Sequence, residues 1–291
     1  MKAGERRKRM RIEYEDDEII VVYKEAGLPV QAGRTSRKDL VSELKNYLAL
    51  SGSGGSGEGR DADRVQSRQG EPYLGIIHRL DQPVEGLLVF AKTPRAAAEL
   101  SRQVSGKSDM RKVYQAVVTL PDEKARELAQ KASRKVITLT DWIVREYGTN
   151  SSRIAEEGSR DAKKAELTFR ILKMNEDRAL AEIHLHTGRH HQIRVQMAHA
   201  GMPLAGDRKY GSSSVKDMDS DSAMESVKEM ESGKVKEFVK EKEFVKEKEF
   251  VKEKEAGRGE DRLCLCACFL QFRHPVTGKK MKFELEPSFE L

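Results

Sequence analysis

No stretch of this 291-residue chain approaches the ~20 consecutive apolar residues that a membrane-spanning helix needs. The basic start is followed by the acidic run EYEDDE at 13–18 rather than by the apolar core of a signal peptide, so nothing targets the chain to a membrane. Cysteine is scarce, with three residues, Cys264, Cys266 and Cys268, alternating in CLCAC. An odd number argues against a disulfide framework, and alternation puts all three on one face of a strand. A zinc site would want a turn-separated pair such as C-x-x-C with partners elsewhere, and that spacing is missing. They read as structural strand residues of a protein in a reducing, cytoplasmic compartment, with no metal site. A glycine loop of the phosphate-cradling kind is also lacking.

Charge, by contrast, is plentiful. Asp, Glu, Lys and Arg make up 35% of the residues, and the pI of about 9.0 suits a polyanionic partner such as RNA. Residues 1–12, MKAGERRKRMRI, hold six basic residues and one acid, so +5 of the formal +6 lies in that tail. It reads either as a solubilising tail or as an arm that touches RNA. The remainder is close to neutral, so RNA binding there must rest on local clusters.

Several elements are legible. Residues 18–23 (EIIVVY) predict a strand. Ser36 with Asp39 resembles a capping box, ahead of apolar residues at helical spacing from Leu40 to Leu48. Residues 50–71 are Gly/Ser-rich and polar and predict a mobile surface loop. Thr93-Pro94 is an N-cap followed by proline at the first helical position, opening a helix to about Val104. Strands are expected near 113–120, 136–145, 164–173 and 178–186. Without regular βα alternation, these elements predict an α+β fold with a mixed or mainly antiparallel sheet. Residues 212–260 contain EFVKEK three times, at 237, 243 and 249. That repeat is charge-balanced and gives no sustained apolar helix face, so the segment reads as a charged, marginally helical excursion or else a partner-binding element.

The most telling stretch is 78–93, HRLDQPVEGLLVFAKT. Asp81-Gln82-Pro83 is turn chemistry, and Leu87–Ala91 is a short apolar run of buried-strand type. An acid at the lip of a buried strand is either a turn aspartate bonding its own backbone or a carboxylate presented to a cleft.

This stretch resembles the active-site motif of the RluA family of RNA pseudouridine synthases. EYEDDEIIVVYKEAGLPVQ at 13–31, KVYQAVV at 112–118, HTGRHHQIRVQMAHAGMPLAGDRKYG at 186–211 and LQFRHPVTG at 270–278 resemble further motifs of that family, in family order. The resemblance implies helices flanking the sheet, a central active-site cleft, and a catalytic domain made of 13–211 and 261–291 with 212–260 inserted. It implies isomerisation of uridine to pseudouridine in structured ribosomal or transfer RNA, by a monomer, with no cofactor. Asp81 would be the catalytic carboxylate, ionised at neutral pH if its pKa stays near ~3.9. Tyr114 matches the tyrosine that packs on the target base. Arg194 matches the arginine that pairs with the catalytic carboxylate, where a planar fork can hold two oxygens. Thr187-Gly188 could begin the helix carrying it, with His191, Arg194 and Val195 on one face and Gly201 then Pro203 as its stop. His78, Arg79, Arg189, His190, His191, Arg208 and Lys209 are expected to contact RNA.

The chain departs from the family at Val84-Glu85, at His190 and at Gln196. Two rivals remain: a catalytically silent RNA-binding or remodelling protein on the same fold, and a glycosidase pairing Asp81 with a second carboxylate, for which Glu85 is the obvious neighbour.

Overall fold

The computed structural model describes residues 10–32, 38–52, 71–105, 110–211, 227–229 and 262–291. The chain divides into two compact units, Met1–Gln115 with Leu265–Ser288, and Ala116–Cys264 with Phe289–Leu291.

In the first unit, β1 (Met10–Glu15) and β2 (Ile19–Lys24) form an antiparallel hairpin. Its turn is held by Asp16, whose Oδ1 accepts from the Glu18 and Ile19 amides. Strand β4 (Glu85–Ala91) lies antiparallel to β2 and to the short β3 (Gly75–Ile76), and parallel to β11 (Leu265–Arg273), which also carries β12 (Lys280–Glu284). All seven residues of β4 are buried, as the unbroken apolar run required. Leu87, Val89 and Ala91 share one of its faces. They pack with Ile19, Val21, Leu270, Phe272 and the Ala96 and Leu100 stripe of α2 (Pro94–Ser105). Each large apolar side chain so buried contributes about 1.5–3 kcal/mol. The predicted cap is present, with Thr93 Oγ1 accepting from Ala96 N at 3.1 Å.

Helix α1 (Leu40–Gly52) is capped by Asp39, which accepts from Ser42 N at 2.7 Å and also takes the Ala32 amide. Ser36 of the expected capping box lies outside the described residues. So do 53–70 of the expected loop, whose first residues belong instead to α1. The basic tail likewise ends sooner than expected, because Met10 already pairs in β1.

Strand β5 (Arg111–Thr119) begins in the first unit and ends in the second. The second unit contains an antiparallel run of β9 (Arg178–Leu185), β8 (Lys163–Met174) and β6 (Ile137–Glu146). A hairpin joins β6 to β7 (Ser151–Ala155). Helix α3 (Glu123–Arg134), which the sequence reading did not anticipate, has Asp122 as N-cap and buries Ala125, Ala129 and Ala132. Of residues 212–260 the structure describes Val227–Glu229, a strand (β10) on the edge of β6 rather than helix. The EFVKEK repeats lie outside the described residues. The fold is α+β; of the strand pairs named above, β4–β11 is parallel and the others are antiparallel.

Candidate active site

Asp81 sits in the turn that delivers the chain into β4, and is half-buried. The turn is closed by Val84 N–H donating to Asp81 C=O at 3.0 Å. Gln82 then fixes it from outside: its carbonyl accepts from Gly27 N at 2.8 Å, and its amide returns a bond to Gly27 O at 3.0 Å. Lys24, fully buried, donates to the carbonyls of Gln82, Leu28 and Glu25 at 3.2, 2.8 and 3.1 Å. A buried ammonium is tolerated only with such partners, and these three lock the 24–28 loop against the turn bearing Asp81. Gly86 completes the approach: at φ 133° a Cβ would stand 2.5 Å from Ala267 O, so β4 and β11 meet as they do only with glycine here.

Tyr114 lies in β5, buried. Burial, then the negative charges of Asp81, Cys268 and Cys266, push its phenol far above the usual range. Asp81 is therefore near enough to be felt, and Tyr114 stays neutral, suited to stacking rather than to acting as a base. Lys112 shares its strand face by alternation. Burial lowers the Lys112 pKa, and the side chain has no carboxylate partner among the described residues. Burial and the Lys112 charge together push His78 down to about 3. Its Nε2 faces Val89 N at 3.4 Å, while its Nδ1 is buried without a partner. His78 is thus neutral at physiological pH, and Arg79 beside it is exposed.

Glu85 is not a free second acid. It is buried, and its two oxygens accept from Tyr23 OH at 2.9 Å and from the Ser288 amide and hydroxyl at 2.8–2.9 Å. It pins the C-terminal segment to β4. No disulfide joins the cysteines among the described residues; Cys266 and Cys268 are buried in β11, while Cys264 precedes that strand.

In the second unit Arg194 lies on α4 (Gln192–His199). That helix begins later than Thr187-Gly188, which the sequence suggested as its start. His191, in the left-handed region at φ 54°, is its N-cap. Thr187 and Gln192 instead tie the preceding loop to β8: Gln192 Oε1 accepts from Thr187 OH and Arg189 N, and Gln192 Nε2 donates to Glu166 O. Gly201, with φ 79°, ends the helix as anticipated. Its amide and that of Met202 donate to the Ala198 and Met197 carbonyls, which closes a Schellman motif.

The planar fork of Arg194, expected on the catalytic carboxylate Asp81, grips a different acid, Asp207. Nε and Nη2 donate to the two oxygens of Asp207 at 2.8 and 2.7 Å, both side chains being buried. Burial raises the Asp207 pKa, but the Arg194 bonds and charge, with the Lys209 and Tyr210 amides, outweigh it and hold the carboxylate low. Asp207 and Tyr210 belong to the GDRKYG motif, but sequence alone gave them no role. The guanidinium lies 5.1 Å from the Tyr210 ring centroid. Tyr210 OH accepts from Ser152 N at 2.7 Å and is hydrogen-bonded to His191 Nδ1 at 2.8 Å. His191, Arg194 and Val195, predicted to share a face, thus all meet Tyr210.

Burial first, then Arg194, His190 and Lys209, push His191 down to about 3, so it too is neutral. His190 stacks on it at 3.8 Å. Ser152 Oγ donates its one proton to His190 C=O, so the 2.9 Å contact with Nδ1 is donated by the ring. Arg189 and Arg208 are exposed, and the exposed Lys209 bonds the carbonyls of Thr149 and Asn150. Gln196 is buried and shares Asp141 with His199, at 2.7 and 2.9 Å. The residue standing where the family usually has histidine thus has a structural partner.

The family description "RNA pseudouridylate synthase" matches residues 18–199. A Pseudomonas aeruginosa protein named ribosomal large subunit pseudouridine synthase D is 28% identical over 277 residues, 94% of this chain and 67% of that protein. Its namesake from Nitrosomonas europaea is 32% identical over 206 residues, 70% of this chain and 51% of that protein. The chain spans about half to two thirds of the length of these curated relatives. Among solved structures, human RNA pseudouridylate synthase domain containing 1 superposes with a TM-score of 0.59 at 17% identity, covering 100% of this chain and 88% of that one. At that identity the likeness establishes the fold. No helix among the described residues is long and apolar enough to cross a membrane.

Proposed function

Because the chain belongs to the RNA pseudouridylate synthase family, we propose that it isomerises uridine in structured RNA, ribosomal RNA before transfer RNA. The bond from ribose C1′ to uracil N1 breaks, the base turns, and C1′ rejoins it at C5, whose hydrogen leaves as a proton while N1 takes up a proton from solvent. The observation that carries this reading is the geometry around Asp81. A half-buried carboxylate stands on a turn braced by a buried lysine, beside a buried, neutral tyrosine that feels its charge. A charge placed beforehand in a partly dry site acts on the glycosidic bond without reorganising water. The Tyr114 ring offers a stacking surface for an extruded uracil. Arg194, whose motif matches the family's arginine, is proposed as the positioning cation of the same chemistry. The exposed Arg79, Arg189 and Arg208 supply phosphate contacts.

The engagement of both Glu85 oxygens supports this reading over a glycosidase, which needs a second working acid. Three cysteines alternating at 264, 266 and 268, two of them buried in β11, support a reducing, cytoplasmic setting. The test is tritium release from ribosomal and transfer RNA transcripts labelled at uracil C5. Release with matching pseudouridine on sequencing is expected. A folded protein that binds RNA but releases no tritium from any transcript overturns the enzyme in favour of a silent binder.

A further inference from the structure

We propose that Tyr147 and Arg145, at the tip of the β6–β7 hairpin, form a stacking clamp for an unpaired nucleotide of the RNA substrate. The proposal rests on the reading that RNA is the substrate. Tyr147 is 80% exposed, an unusual state for a ring that fills no core. Against it lies Arg145, whose guanidinium carbon is 4.8 Å from the ring centroid. The two have different surroundings from the ion pairs beside them. Glu146 is held by Arg153 at 3.3 Å and by the Ser151 hydroxyl at 2.8 Å. Arg145 has only Asn150 Oδ1 at 3.4 Å and, among the described residues, no carboxylate. Most of its donors therefore face outward.

The tip is also fixed in place. Asn150 takes the left-handed turn at φ 49°, and Lys209 Nζ donates to the Thr149 and Asn150 carbonyls at 3.0 Å each. That brings an ammonium to the turn. One residue into β7, Ser152 bonds Tyr210 OH and the His190 carbonyl, the same group of side chains that surrounds Arg194. A ring, a guanidinium and an ammonium on a rigid hairpin match what a nucleotide offers, a π-face and a phosphate. A protein partner would want apolar surroundings. Tyr147 is followed by Gly148, Thr149 and Asn150, all exposed and none apolar beyond glycine.

The test measures binding of a short fluorescein-labelled oligouridylate to the full chain by anisotropy, across a salt series. Tyr147→Ala should weaken binding by about 5- to 150-fold, the range of one stacked base, while Tyr147→Phe and Tyr147→Trp stay within about twofold. Arg145→Ala should weaken binding and lower the salt slope by about one unit. Arg160→Ala serves as control, because that side chain is 97% exposed and follows β7 rather than belonging to the hairpin; it should change little. Tyr147→Ala binding like the parent, or Arg160→Ala costing as much as Arg145→Ala, overturns the clamp. A parent that releases tritium from transcripts yet ignores the oligouridylate also overturns it, leaving the isomerase standing. A parent with no tritium release overturns the reading beneath it. Matching melting curves show that every variant is folded, which 80% exposure at Tyr147 leads one to expect.

Discussion

The two units hold their charged residues in opposite ways. The acid of the first unit is placed through main chain: Val84 bonds the Asp81 carbonyl, and Lys24 and Gly27 bond its neighbour Gln82. The cation of the second unit is placed by its own head group, gripped at two nitrogens by Asp207. A carboxylate that must act on substrate is best fixed through backbone. A guanidinium can give two donors to a structural acid and still present its remaining face. The difference predicts which substitutions harm chemistry and which harm folding.

The largest effect on rate is expected from Asp81→Asn, which keeps shape and removes charge. Tritium release should fall at least about a hundredfold with melting temperature nearly unchanged. Activity within tenfold of the parent would remove Asp81 from the mechanism. Asp207→Ala should do the reverse of that separation, harming folding first. It strands a buried guanidinium, and breaking a buried pair costs about 3–5 kcal/mol. Urea unfolding measures this, and a loss under about 1 kcal/mol would mean that Arg194 finds another partner at no cost.

Tyr114 sharpens the comparison within the first unit. If the ring matters, Tyr114→Phe should be mild and Tyr114→Ala should lose about 5- to 150-fold in activity. Equal losses would assign the role to the hydroxyl. The smallest effect concerns pH. The folded pKa of His191 is about 3 against about 6.5 unfolded. Between those values the unfolded chain takes up a proton that the native state refuses. Stability therefore drops as pH falls from about 6.5 towards 3, and is fully present above. His191→Gln should show a shallower slope of melting temperature across that window, and an unchanged slope would mean that the imidazole is charged in the fold.

Much of this was legible in the sequence because it is local. The apolar run of β4, the Thr93 cap and the Gly201 stop each depend on adjacent residues. Helix α3 escaped notice because its buried stripe is alanine at 125, 129 and 132, and small residues carry little hydrophobic contrast even beside a good cap at Asp122. The late start of α4 escaped because His191 caps by backbone conformation rather than by side chain. The roles of Lys24, Glu85 and Asp207 depend on partners 58, 203 and 13 residues away, separations that no local pattern encodes.

The parallel pairing of β4 with β11 has a consequence for how the protein is made. The first unit is written in two pieces, ending at Gln115 and resuming at Leu265. A ribosome adding about 5–20 residues per second needs roughly 8–30 s to cross that gap. Throughout it, β4 has apolar residues on both faces and one edge without its final neighbour. Such an edge invites pairing with other chains. The newborn protein therefore passes through a stage in which the turn bearing Asp81 exists but the strand that Gly86 was shaped to receive has not arrived. Chaperone demand should be highest there, and a message cut short before codon 265 should yield an insoluble product rather than a weaker enzyme.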